Sequence, residues 1–200
     1  MRNHTVNTLR ALLVIVPSLI AWTPANPVLS LQPQSRLWVK GTSTVRSFEC
    51  EAAGLDVRVA ARGASAVGDI LDGGQAVQSV DVKIPATKLE CGNDTMNEHM
   101  WKALKTKENP EIAFRLTSYT TTKTSSGLRG EINGMLALSG VEKPIVLQGT
   151  AQGTADGALR ILGSHVINMR EFGIKPPSLM MGTMKVGENV TVNYDLTLKQ

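Results

Sequence analysis

From about Trp38 onward, hydrophobic and polar residues alternate with period two almost to the end of the chain. Leu55, Val57, Val59 and Ala61 alternate with Asp56, Arg58, Ala60 and Arg62, and Val80, Val82 and Ile84 with Asp81 and Lys83. Ile112, Phe114 and Leu116 share one parity, as do Ile145, Leu147, Gly149 and Ala151. The last run is the clearest, with Val190, Val192, Tyr194, Leu196 and Leu198 set against Thr191, Asn193, Asp195, Thr197 and Lys199. Such runs are half-buried strands, because successive side chains of a strand point to opposite faces. Asp72-Gly73-Gly74, Gly140 to Pro144 and Asp156-Gly157 read as turns, and Thr120 to Gly127 as a polar loop at a hairpin tip. The pattern predicts an all-β fold of about eight antiparallel strands, a barrel or a sandwich. If the sheet closes, about eight strands leave an interior that side chains fill or that holds one small ligand. Alternation alone leaves both outcomes open.

One stretch breaks the alternation. Met96, Met100 and Leu104 recur every four residues, with Trp101 and Ala103 widening the same face, which is helical spacing. Asn93 or Asp94 supplies an N-terminal cap, and Pro110 stops the helix because it lacks a donor and disfavours helix at Asn109. A helix over about 94–107 is expected, set near a barrel opening.

The 200 residues suit one domain. The first thirty have the layout of a secretory signal peptide: Arg2 and Arg10, then a twelve-residue, mostly apolar run from Ala11 to Trp22, then a small, Pro-containing stretch to Ser30. That run is shorter than the roughly 20 residues a membrane-spanning helix needs. The folded domain is then placed at 36–199, periplasmic or secreted, with no stable membrane insertion after cleavage. Loss of the two arginines lowers the formal charge from +4 to +2. No Lys or Arg cluster marks a nucleic-acid groove. Cys50 and Cys91 remain, and an exported pair points to a disulfide; two free buried thiols are the alternative.

Two features lean toward a hollow interior. Past Ser30 there are only two Trp, two Tyr and three Phe, and many inward positions are Ala, Gly, Ser or Thr. The long connection from Phe172 to Glu188 carries Leu179, Met180, Met181 and Met184, adaptable side chains suited to an irregular apolar surface. It reads either as a lid or as a loop packed over the barrel end.

The segments ALKTKENPEIAFRL, GMLALSGVEKPIVLQG and INMREFGIKPPSLMMGTMKVGENVTVNYDLTL, taken in order, resemble the YceI-like family from about Trp38 to Leu198. The helix ending before Pro110, the hairpin Gly134 to Pro144, and Arg170 with Phe172-Gly173 match features typical of that family. The resemblance implies a lipocalin-like barrel, exported, that binds isoprenoids or other long-chain lipids. Where many members carry a His-Ser pair in the first strand, this chain has Gly41-Thr42-Ser43-Thr44.

On this reading the pocket candidates are Phe114, Leu116, Leu147, Val192 and Tyr194 in strands, Met96, Met100 and Leu104 on the helix, and Met180, Met181 and Met184 in the loop. Arg170 is the candidate for an anionic head group, or else a salt-bridge partner of Glu171 or Glu188. The ligand is one long apolar lipid, with no cofactor, no metal site and no delivery partner identified. Catalysis is not expected. His99 falls outside the helix stripe and reads as solvated, whereas His165 shares parity with Ile161 and Ile167 and reads as a hydrogen-bonded core residue. The competing class is an exported interaction module whose barrel is solid.

Overall fold

The computed structural model describes residues 28–63, 65–179 and 183–200. Residues 1–27 and the loop residues Met180 and Met181 lie outside the described residues. The strands are β1 (Val28–Leu31), β2 (Arg36–Ser43), β3 (Ser47–Ala52), β4 (Asp56–Ala61), β5 (Val77–Pro85) and β6 (Leu89–Glu90), followed by β7 (Glu111–Thr124) and β8 (Gly127–Leu138). Then come β9 (Val141–Gly153), β10 (Leu159–Asn168), β11 (Ser178–Leu179) and β12 (Met184–Lys199). Helix α1 (Ala66–Leu71) lies between β4 and β5, and α2 (Asp94–Leu104) between β6 and β7.

All pairings are antiparallel, and the circuit β1-β4-β5-β7-β8-β9-β10-β12 closes on itself through β1–β12, giving an eight-stranded barrel. The remaining strands extend that wall. β1 and β2 are successive stretches along one flank of β12, at Leu31↔Leu198 and then Arg36↔Asp195 to Gly41↔Val190. β3 pairs with β2 and carries β6 on its other side. Closure leaves no exposed sheet edge around the barrel and turns one face of every strand inward.

The chain joins the barrel earlier than residue 36. Val28 to Ser30 pair with β4, and Leu29 is fully buried. Alternation over only four residues, close behind the apolar run Ala11 to Trp22, is too short a signal to mark a strand. The segment read as a polar loop, Thr120 to Gly127, is mostly ladder: β7 runs to Thr124 and pairs directly with Gly127. Its threonines are β-branched and favour strand even where both faces are wet.

Two buried clusters hold the ends. At one end α1 plugs the barrel, its Ala66 and Ile70 buried against Leu29, Ala61, Leu128 and Leu198. At the other, Leu104 of α2 joins Cys50, Leu89, Leu138, Phe172 and Ile174. Helix α2 ends at Leu104, three residues short of the expected 107, because Lys105 takes a left-handed conformation (φ 54°) that turns the chain out of the helix. Asn93 caps its start, its side-chain oxygen accepting from the Met96 N–H at 3.0 Å.

Candidate functional site

Between the two end clusters the barrel is hollow. A cavity of about 630 Å³ runs along its axis, lined by residues of every strand in the closed circuit and by α2. That volume falls within the roughly 300–1,000 Å³ of small-molecule sites. Burial shows the same thing residue by residue. Phe114, Leu116, Ile132, Leu147 and Val192 point inward, yet each is only half-buried because it faces the void. In a filled core such side chains are covered by their neighbours from across the barrel. The interior is therefore not that of a solid barrel.

Packing of the wall makes the space. Gly134 stands where a side chain would collide with the Phe114 ring, so the ring lies back against the strand. Tyr194 lies across Gly163 and Gly149 in the same way, and its hydroxyl donates to the Gln148 carbonyl at 3.0 Å. Both aromatics line the cavity without filling it. Desolvation raises the Tyr194 pKa, which leaves the phenol neutral.

The cavity opens at the α2 end. At the α1 end its lining residues Leu29, Ile70, Leu128, Leu159 and Leu198 are all buried, whereas at the α2 end it reaches the exposed Arg46 and Thr95. Helix α2 is tied down on this side by three links. The Cys50–Cys91 disulfide joins β3 to the segment leading into the helix. Asn97, buried, accepts from the Cys91 N–H at 2.7 Å, and the Trp101 indole N–H donates to the Leu89 carbonyl at 3.1 Å. Met100 packs its sulfur 3.8 Å from that of Cys91.

The structure brings most of the expected site residues together. Met96, Met100, Leu104, Phe114, Leu116, Leu147, Met184, Val192 and Tyr194 all line the cavity. Arg170 does not. It sits on the turn Met169–Phe172, and its guanidinium pairs with Glu188 at 2.6 Å, the salt bridge that its sequence neighbourhood allowed. The same turn sends Phe172 into the end cluster, with Lys143 over its ring. His99 is not simply solvated, because three residues after Met96 it falls on the cavity side of α2. Lining residues that sequence reasoning passed over, such as Val39, Phe48, Val82, Ile132 and Ile161, share the inward parity of the strands and were legible by that signal.

The lining is almost wholly apolar. Among the described residues that form it, Arg46 is the only Lys or Arg, and there is no Asp or Glu. Among the described residues, no cluster of three or more His, Cys, Asp or Glu is assembled, and no helix is long and apolar enough to cross a membrane. Such a site removes apolar surface from water; it offers no charged pair for acid–base chemistry.

The model of the YceI-like domain matches residues 39–198, four-fifths of the chain. This chain belongs to the YceI-like family. Solved structures share its fold at low sequence identity. The crystal structure of BcnA from Burkholderia cenocepacia aligns with a TM-score of 0.64 at 14% identity, covering 82% of this chain and 96% of that one. A polyisoprenoid-binding domain from Saccharophagus degradans, implicated in plant cell wall breakdown, aligns with a TM-score of 0.61 at 12% identity, over 88% of this chain and 99% of that one. A YceI protein from Campylobacter jejuni aligns with a TM-score of 0.53 at 19% identity, over 71% and 80% of the two chains. Among curated protein sequences none matches this YceI-like chain.

Proposed function

We propose that this YceI-like protein is an exported carrier that holds one long apolar lipid, an isoprenoid or an acyl chain, inside its barrel. It transports or sequesters the molecule and does not transform it. The observation that carries the reading is the ring of inward apolar side chains left half-exposed around a cavity of about 630 Å³. Each CH₂ moved from water into such a space contributes about 0.8 kcal/mol, so a dozen buried carbons amount to roughly 10 kcal/mol before ordering costs. The polyisoprenoid-binding function named for the Saccharophagus domain supports an isoprenoid as the first ligand to try. The Cys50–Cys91 link supports an oxidising compartment, periplasmic or extracellular, in keeping with the leader-like sequence that precedes β1.

Native mass spectrometry of protein purified without detergent, followed by solvent extraction, tests this. A stoichiometric prenyl or acyl chain is the expected result. The mass of the bare, oxidised chain from several hosts, with no uptake of added prenyl lipid, would overturn it.

A further inference from the structure

Among the described polar side chains that line the cavity, the Thr121 hydroxyl toward the α1 end lacks a partner, and so does a ring at mid-barrel. His165 on β10 pairs with Val192 of β12 and points inward from the wall. It lies between Ile161, which packs on the α1-end cluster, and Ile167 of the α2-end cluster, and so sits at mid-barrel. Among the described residues its imidazole has no hydrogen-bond or ionic partner, against the expectation of a satisfied core histidine. The other polar rings of the wall are satisfied. Tyr194 donates to the Gln148 carbonyl at 3.0 Å, and the Tyr119 oxygen accepts from the Val77 N–H at 3.0 Å.

Burial lowers the His165 pKa, so near pH 7 the ring is neutral and presents one N–H donor and one acceptor nitrogen. The ring is half-buried against the cavity, and a ligand that displaces water there must offer it a hydrogen bond or leave it unpaired. No acid lines the cavity to provide one, and the single cation, Arg46, stands at the mouth.

We propose that His165 recognises a hydrogen-bonding oxygen on the ligand, a hydroxyl or a carbonyl, held at mid-barrel. The protein then selects an oxygenated lipid over a plain hydrocarbon of the same skeleton. This rests on the carrier reading above, and it adds that the polar function of the lipid lies inside the barrel and not at its mouth. Arg46 is left free to meet whatever part of the lipid emerges.

The test compares farnesol with farnesene, the alcohol and a hydrocarbon of closely similar skeleton, on lipid-stripped, disulfide-intact protein. For His165→Leu the farnesol-to-farnesene affinity ratio should fall about tenfold from its wild-type value, a loss of about 1.4 kcal/mol of discrimination. His165→Gln, which keeps a donor and an acceptor, should restore part of the ratio. In the wild type, the His165 imidazole ¹⁵N resonances should move on adding farnesol and stay in place with farnesene; this readout needs no variant to fold. An unchanged ratio in His165→Leu, or resonances indifferent to farnesol that is demonstrably bound, would overturn the role of His165 and leave the carrier reading standing. Failure of the wild type to bind either compound would instead overturn the carrier reading itself.

Discussion

The two ends of this barrel are closed by different means. At the α1 end a six-residue helix drops Ala66 and Ile70 into a buried apolar cluster with Leu29, Leu128 and Leu198. At the α2 end an eleven-residue helix lies over the barrel, held by a disulfide, a buried asparagine and an indole hydrogen bond, with methionines facing the void. The first end is stabilised chiefly by burial, which is non-directional and needs close contact on all sides, with the Ala66 N–H donating to the Gln200 side chain at 3.2 Å beside it. The second is stabilised by point attachments, which hold an element in place without filling the space beneath it. A binding protein needs both: a sealed floor, and a roof kept in position over an unfilled chamber.

Removing the disulfide should separate the two ends most sharply. Closing 41 residues of chain is worth about 4 kcal/mol in the chain-entropy model. Cys50→Ser together with Cys91→Ser should lower stability by up to that amount. Hydrogen exchange should show α2 losing protection while the α1 end keeps it. Uniform loss across both ends would show that the attachments are not local.

Next comes a pair of identical truncations. Leu29→Ala opens a hole in a packed cluster and should cost about 3–5 kcal/mol, in the upper part of the range for buried leucines. Leu147→Ala enlarges a space that already exists, so only the transfer term is lost and the cost should stay near or below about 2 kcal/mol. Chemical denaturation of both variants measures the difference. Equal costs would mean that the middle of the barrel is filled in solution.

Asn93→Ala removes the cap of α2 and should cost about 1 kcal/mol, visible as faster exchange in the first turn of that helix. The smallest effect lies outside the chamber. Asp195 on the outer face receives two hydrogen bonds from Arg160, at 2.8 and 2.6 Å, and these hold its carboxyl below the ordinary aspartate range. A folded pKa below the unfolded one stabilises the protein above the unfolded value, and the gain is lost as pH falls through the folded value. Between neutral pH and about pH 3, wild type should therefore lose slightly more stability than Arg160→Ala, by a few tenths of a kcal/mol because the pair is partly exposed. Identical acid limbs would remove the pair from the account.

Much of this architecture was legible in the chain because strand alternation is a direct record of two-sidedness. The inward residues of β7, β9 and β12 followed from parity, and so did most of the site: a residue known to face inward on a closed barrel either packs or lines a cavity. Helix α2 was legible through its Met96–Met100–Leu104 spacing and its cap. Helix α1 was not, since its six residues include Gly68 and its start has no side-chain cap. It is a helix because Ala66 and Ile70 find a buried place to go, which no local signal announces. Arg170 is a position where the residues alone left two readings open. Its motif drew attention to the guanidinium, yet in the fold the buried member of that motif is Phe172, and the arginine is spent on Glu188.

Local patterning along the chain dictates that the strands have an apolar face, that their turns bring neighbours together in order, and that one amphipathic helix interrupts them. Those properties depend on residues close along the chain. Whether the apolar faces meet or stand apart was decided only in three dimensions. Phe114 lies back over Gly134 and Tyr194 over Gly163. His165 is left unpaired, and its partner would have to come from across the chamber. Parity records which way a side chain points but carries no measure of the distance to the opposite wall, and that distance is set by how the whole sheet closes.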